Sequence, residues 1–307
     1  MLEIKNVSKV FEKFIALNEV NITIPKARTF GLVGSNGAGK STLLRLLTGV
    51  YNCDEGELLM DGKPIWNTPE SKQNVFFIND ETVQFQSFTL RELKDYYKCY
   101  YPKFSEATFE NLRKKINLPL DKKLSKFSKG MKRQSVVLVA LSAGTDYLLL
   151  DEAFDGLDPA MRLIVKRMVF DAMLDRELTL IISSHNLAEL NEMCDSVAML
   201  HEGRVLFQKD LDSIKGDIHK VQLVFNKSGE ENKIYDRACF PQLNILHFER
   251  QGSIYNLIIK EDEKKLKEII GPEKPIVFDI VPLTLEEVFI YELEVLGYDS
   301  SGIQTNS

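Results

Sequence analysis

The chain has 307 residues, of which 44% are hydrophobic and 27% charged, with a formal net charge of −6. This is the composition of a globular protein of about two domains, and it excludes a low-complexity or disordered chain. Apolar runs such as Val136–Leu141 fall far short of the ~20 residues needed to span a membrane, and the acidic balance argues against nucleic acid as the main partner.

In chain order, strand patterns appear at Leu2–Val7 and Val20–Ile24, and a buried apolar run at Thr29–Val33 leads into Gly34-Ser35-Asn36-Gly37-Ala38-Gly39-Lys40-Ser41. That octet is a complete G-x-x-x-x-G-K-[ST] pattern, extended by Thr42 and followed by a helical run that Gly49 ends. A strand, a glycine-rich loop and a helix N-terminus together fold backbone N–H groups around an anion. In that setting Lys40 reaches the β- and γ-phosphates and Ser41 offers its hydroxyl to Mg²⁺. The competing reading is a glycine-rich turn ahead of a core helix. Phosphate binding by itself would suit a kinase, a GTPase or a motor equally.

Further strand patterns lie at Glu57–Met60 and Val75–Ile78, and residues 89–118 have helical spacing up to Pro119. Met131–Ala143 reads as a buried helix. Tyr147–Leu150 (strand), Pro159–Leu174 (helix), Leu178–Ser183 (strand) and Leu187–Met193 (helix) follow, then a hairpin of Val197–His201 and Arg204–Gln208 around Glu202-Gly203. Early mixed strands and later strand–helix alternation predict an α/β P-loop fold with a helical subdomain at about 81–145. Near Lys209–Lys220 the character changes. Short strands at Val221–Phe225, Asn244–Phe248, Tyr255–Ile259 and Ile276–Val281 and a helix from Leu285 to Leu296 predict a small α+β domain. The expected division is 1–215 and 216–307, and the second part is the more acidic, with 10 Lys/Arg against 16 Asp/Glu. No secretory signal is visible at Met1–Lys5. Cys53, Cys99, Cys194 and Cys239 show no C-x-x-C spacing and read as free thiols.

Three more features bear on the site. Tyr147–Leu150 ends in Asp151-Glu152, which reads either as a buried strand entering an acidic turn or as a strand aiming carboxylates at Mg²⁺ and an attacking water. Phe127-Ser128-Lys129-Gly130-Met131 lies upstream of it, and His185 follows a second apolar strand. With the phosphate loop, these motifs resemble, in order, the cassette of ABC (ATP-binding cassette) ATPases over about residues 1–215. The resemblance identifies Ser128 and Gly130 with the signature motif, Asp155-Gly156-Leu157-Asp158 with the D-loop and His185 with the switch histidine. It implies that Glu152 is the general base and that His185 contacts the γ-phosphate. Asp151 would hold Mg²⁺ and Asp158 would lie at the nucleotide. Phe11 would stack on adenine, although a plain core phenylalanine is the competing reading. Ser128 and Gly130 would cap the ATP of an opposing cassette, so a head-to-tail dimer is implied. Ser35, Asn36, Gly37, Ala38, Gly39 and Thr42 complete the expected ATP contacts.

The sequence departs from the family pattern at Lys129, where the signature has glycine, and at Phe127 and Met131. The larger departure is Asn79-Asp80-Glu81, where a glutamine is usual; Asp80 is expected to serve the metal while turnover or coupling is altered. Between Arg113 and Arg133 nine basic residues face the single Asp121. This run reads as a solvated helix face, as attraction for ATP, or as contact with anionic headgroups or a permease. The resemblance implies an ATPase subunit powering a separate membrane permease from the cytoplasmic face. The signature Ser128-Lys129-Gly130-Met131 and the ending Thr284–Phe289 resemble the drug- and antibiotic-export branch of that family, which implies an exporter. A soluble ATP-driven switch on a non-membrane partner, or a weakly active partner in an asymmetric heterodimer, are the alternatives.

Overall fold

The computed structural model describes residues 1–79, 85–155, 157–211, 218–225, 235–281, 283–284, 286–287 and 289. The chain parts into two compact units. Unit 1 is Met1–Asn186 with Met193–Gln208; unit 2 is Leu187–Glu192 with the chain from Lys209 onward.

Unit 1 holds two sheets. An antiparallel sheet has the order β2-β1-β4-β5, from β1 (Leu2–Phe11), β2 (Phe14–Ile24), β4 (Glu55–Met60) and β5 (Lys63–Pro64). A six-stranded sheet has the order β10-β9-β3-β8-β7-β6, from β3 (Thr29–Val33), β6 (Val75–Ile78), β7 (Tyr147–Asp151), β8 (Thr179–Ser184), β9 (Ser196–His201) and β10 (Arg204–Asp210). From β9 to β6 its pairings are parallel. Such a sheet is covered on both faces. Accordingly every residue of β3, β7 and β8 is buried, which explains their unbroken apolar runs. Helix α1 (Lys40–Leu47) is wedged between the sheets. Its Leu43, Leu44, Leu46 and Leu47 join Leu2, Ile4, Leu17, Phe30, Leu149 and Leu200 in one core. At about 1.5–3 kcal/mol per buried leucine, this packing anchors the helix whose first residues are Lys40 and Ser41.

The expected helix over 89–118 is two helices, α3 (Leu90–Tyr100) and α4 (Glu106–Ile116). Pro102 forces Tyr101 into an extended conformation, with φ −111° and ψ 98°. Ser105 then starts α4 by accepting a hydrogen bond from Thr108 N–H. The short α2 (Pro69–Gln73) was not foreseen. Strands β1 and β2 run on toward their shared turn beyond the expected bounds, to Phe11 and from Phe14. Helices α5 (Lys129–Ser142), α6 (Pro159–Asp175) and α7 (Leu187–Met193) fall within two residues of expectation.

Unit 2 carries an antiparallel sheet of order β12-β13-β11-β14, from β11 (His219–Val224), β12 (Ile245–Gln251), β13 (Ile254–Ile259) and β14 (Val277–Val281). That order belongs to the split β-α-β plait. One face packs on α8 (Glu263–Ile270), a helix absent from the expected elements, through Leu266 and Ile270. The expected helix over 285–296 lies almost wholly outside the described residues. Thr284 and Glu287 nonetheless form a reciprocal cap, and Glu287 pairs with Lys220 at 2.8 Å.

Candidate active site

Three neighbouring parallel strands deliver the site. β3 ends at Val33 and runs into Gly34, β7 ends at Asp151, and β8 ends one residue before His185. Val33 is in register with Ser184, and Asp151 with Ser183, so the three strand ends lie side by side. Ligands of open parallel sheets bind at such carboxyl ends.

Glycine is required at two points of the loop. Gly34 has φ 154°, and a Cβ there would sit 2.4 Å from the Leu200 carbonyl oxygen. Gly39 has φ 104°, and its Cβ would meet the Ala16 carbonyl at 2.7 Å. Gly39 caps α1 without any side-chain hydrogen bond, and the first turn contains no acid. The first N–H groups of α1 and its partial positive charge therefore face the loop. Ser35, Asn36 and Gly37 are exposed, Ala38 is buried, and Thr42 lies half-buried in α1.

Lys40 is 5% exposed, and its ammonium donates to Gly34 O at 2.6 Å and Ser35 O at 3.1 Å. Burial pushes its pKa down; Glu152, Asp151 and Asp155 oppose that fall. The nearest of these contacts is Glu152 Oε1, 3.9 Å from Lys40 Nζ. The loop thus holds a desolvated cation with one carboxylate beside it, a setting that favours a polyanion.

Asp151 is 7% exposed. Its Oδ1 accepts from the hydroxyls of Ser41 at 3.1 Å and Ser183 at 2.5 Å, while Oδ2 takes no hydrogen bond among the described residues. Glu152 is held by its backbone at φ 48°, with its N–H shared between Ser183 O and Ser183 Oγ at 3.2 Å each. His185, 54% exposed, places Nδ1 3.8 Å from both Glu152 Oε1 and Asp155 Oδ2. The expected catalytic pair Glu152 and His185 and the expected metal ligands Ser41 and Asp151 are therefore gathered around Lys40. Ser183 was missed, although a hydroxyl closing a buried apolar strand ahead of His185 is a visible signal. Asp80 and Gly156 lie outside the described residues, and Asn79 accepts at its carbonyl from buried Arg133 at 3.2 Å.

The remaining candidates stand apart from this cluster. Ser128 caps α5 by accepting from Met131 N–H, and neither Ser128 nor Gly130 hydrogen-bonds to the gathered residues. Gly130 also has a packing reason, since a Cβ there would sit 2.8 Å from Met161 Cγ of α6. Asp158 caps α6 by accepting from Met161 N–H at 2.9 Å. Phe11 is 37% exposed, edge-on to Tyr51 at 5.3 Å with Lys9 Nζ over its ring; it is not a core residue. Of the basic run, Arg113 pairs with Glu110 and Lys115 with Asp171, while Lys122, Lys123, Lys126 and Lys129 are exposed.

Known proteins resemble this chain in sequence and fold. The "ABC transporter" family model matches residues 17–155. The ABC transporter ATP-binding protein YtrB of Bacillus subtilis is 30% identical over 94% of this chain and 97% of its own length. The lantibiotic transport ATP-binding protein SrtF of Streptococcus pyogenes is 29% identical over 74% of this chain and 99% of its own. A solved ATP-binding subunit of an ABC transporter superposes with a TM-score of 0.64 at 27% identity, over 70% of this chain and 92% of that one.

Proposed function

The chain belongs to the ABC transporter ATP-binding proteins, which bind and hydrolyse ATP, and from that premise we propose that it is the motor subunit of an exporter. Two cassettes, identical or not, pair head to tail and drive a separate permease from the cytoplasmic face of the cell membrane. Residues 1–215 form the cassette and residues 216–307 an accessory domain. The observation that carries this reading is the clustering of Lys40, Ser41, Asp151, Glu152 and His185, with Ser128 and Gly130 engaged elsewhere. One chain supplies the phosphate loop and the base; the anion cap at Ser128 serves the ATP of its neighbour. The lantibiotic transport relative and the endings named above support export. No described helix is long and apolar enough to cross a membrane.

The residues have separable tasks. The loop from Gly34 to Thr42 cradles the phosphates and Lys40 neutralises them, while Phe11 stacks on adenine. Ser41 and the free Oδ2 of Asp151 are hard oxygen donors that fit Mg²⁺, and Asp80 is proposed as a further one from its place in the sequence. When bound, Mg²⁺ neutralises charge building on the β- and γ-phosphate oxygens. Glu152, pinned by Ser183, accepts the proton of the attacking water, and His185 holds that carboxylate and the γ-phosphate in register. Asp158 and Ser128 come to the nucleotide on pairing.

Glu152→Gln is the test. It should retain ATP and accumulate as an ATP-bound pair in size-exclusion chromatography. A variant that stays monomeric with ATP and Mg²⁺ would contradict the paired mechanism. Recovery of the native protein solely from cytosol, without a multi-span partner, would favour a soluble switch.

A further inference from the structure

We infer that Glu152, Asp155 and His185 form a transition-metal site, distinct from the Mg²⁺ position, whose occupation by Zn²⁺ arrests the ATPase. Among the described residues, these three offer one nitrogen and two carboxylate oxygens that all lie within 4.8 Å of one another. His185 Nδ1 is 3.8 Å from each carboxylate oxygen. A cation in the plane of the three atoms is therefore about 2.5 Å or less from all of them. Zn–N and Zn–O bonds are about 2.0–2.2 Å, so a few tenths of an ångström of side-chain motion brings all three donors into bonding range, with water as the fourth ligand.

The donor set selects the metal. An imidazole with two carboxylates suits Zn²⁺ and Co²⁺, whereas Mg²⁺ wants a full octahedron of oxygens and gives up its waters reluctantly. The backbone presets the pair of acids, because Asp155 N–H donates to Glu152 O at 3.2 Å in a tight turn. Solvent has access through His185, which is 54% exposed. The competing cation is Lys40, 3.9 Å from Glu152 but satisfied at two carbonyls. Ser41 and Asp151, which fit Mg²⁺, are not members of the set. Zinc here would occupy the proposed base and the γ-phosphate-facing imidazole together. Binding of metal stands on the geometry alone; arrest of turnover rests on the roles given to Glu152 and His185 above.

The test uses the full chain, stripped of metal and free of nucleotide. Zn²⁺ is titrated calorimetrically, and Co²⁺ is followed by its visible absorption. The expectation is one metal per chain at micromolar dissociation constant, weakened at least tenfold in both His185→Gln and Asp155→Asn. Circular dichroism and thermal unfolding check that these variants fold. Absence of micromolar binding would overturn the site. So would variants that bind like the parent, or Co²⁺ showing the intense charge-transfer band of thiolate ligation at the free cysteines. MgATP hydrolysis is then followed with and without Zn²⁺. Arrest that a zinc-selective chelator reverses, and that Asp155→Asn shifts to higher zinc, supports the regulatory consequence; equal arrest in Asp155→Asn would overturn it. A chain that hydrolyses ATP but binds no zinc loses this proposal and keeps the ATPase reading. One that binds zinc as described but does not hydrolyse ATP keeps the metal site and loses the ATPase reading together with the arrest that rests on it.

Discussion

Lys40, Arg133, Gln134, Asp151, Ser183 and Ser184 are all buried in the cassette unit, whereas every buried side chain contributed by β11–β14 and α8 is apolar or aromatic among the described residues. Burying a polar side chain costs free energy unless each of its groups finds a partner. The plait avoids that cost. Its core of Val221, Leu223, Tyr255, Leu257 and Leu266 is built for packing alone. The cassette accepts it at the carboxyl ends of β3, β7 and β8, where a cation, a carboxylate and a hydroxyl must be held at fixed separations away from bulk water. The difference separates a body that does chemistry from one whose interior carries none.

The contrast can be attacked from the plait side first. Leu257→Ala removes a fully buried side chain from the middle of β13. It should cost about 2.7–5 kcal/mol in the denaturant unfolding of that unit, while ATP affinity stays unchanged because no residue of that core belongs to the phosphate site. An ATP affinity that falls in parallel would show that the plait's interior does serve the site.

Lys40→Ala attacks it from the other side. Losing a charge-assisted contact to phosphate removes about 1.5–3 kcal/mol of binding, roughly a tenfold to hundredfold rise in the ATP dissociation constant. Thermal stability without nucleotide should change far less, since removing the ammonium also removes a desolvated charge. A large loss of stability with intact ATP binding would recast Lys40 as a structural cation. Ser183→Ala comes next. It removes a hydroxyl that donates to Asp151 and accepts from Glu152 N–H, at about 1–3 kcal/mol. Hydrolysis should fall more than ATP binding, because both carboxylates lose their common anchor. Equal losses in binding and turnover would show that Ser183 merely packs.

How much of this was legible in the sequence follows from the same contrast. The phosphate loop, Asp151-Glu152 and His185 could be read because phosphate chemistry fixes residue types at fixed spacing. The strands β3, β6 and β7 were equally plain, since a sheet covered on both faces demands unbroken apolar runs. Ser183 escaped because one hydroxyl inside such a run has no spacing rule. The break between α3 and α4 was marked by Pro102 and Ser105, signals outweighed by the apolar periodicity on either side. The α8 helix went unread because Leu266 and Ile270 are spaced for packing in a charged segment, with no motif to flag them. The second role of Gly130, clearing space for Met161, depends on contacts between α5 and α6 that no local pattern announces.

A smaller effect tests whether polar burial in the cassette always serves the nucleotide. At the amino end of β7, away from Asp151, the Tyr147 hydroxyl donates to Asp61 at 2.9 Å, and Lys26 pairs with the same oxygen at 2.9 Å. Partial burial pulls the Asp61 pKa up, but the terminal ammonium, Lys26 and Tyr147 together hold it below its usual 3.8. A carboxyl depressed in the folded state stabilises that state above its unfolded pKa, and the gain is lost as pH falls through the folded value. Asp61→Asn should therefore cost about 1 kcal/mol near neutrality, with the difference from the parent shrinking as pH drops below 3.8. Hydrolysis should not change, because the cluster sits at the opposite end of β7 from the site. A difference that stays constant down the acid limb would mean that Asp61 acts through shape and hydrogen bonding rather than charge. An accompanying loss of hydrolysis would mean that β7 transmits strain from one end to the other, and the buried polar groups of the cassette would then have to be treated as one network.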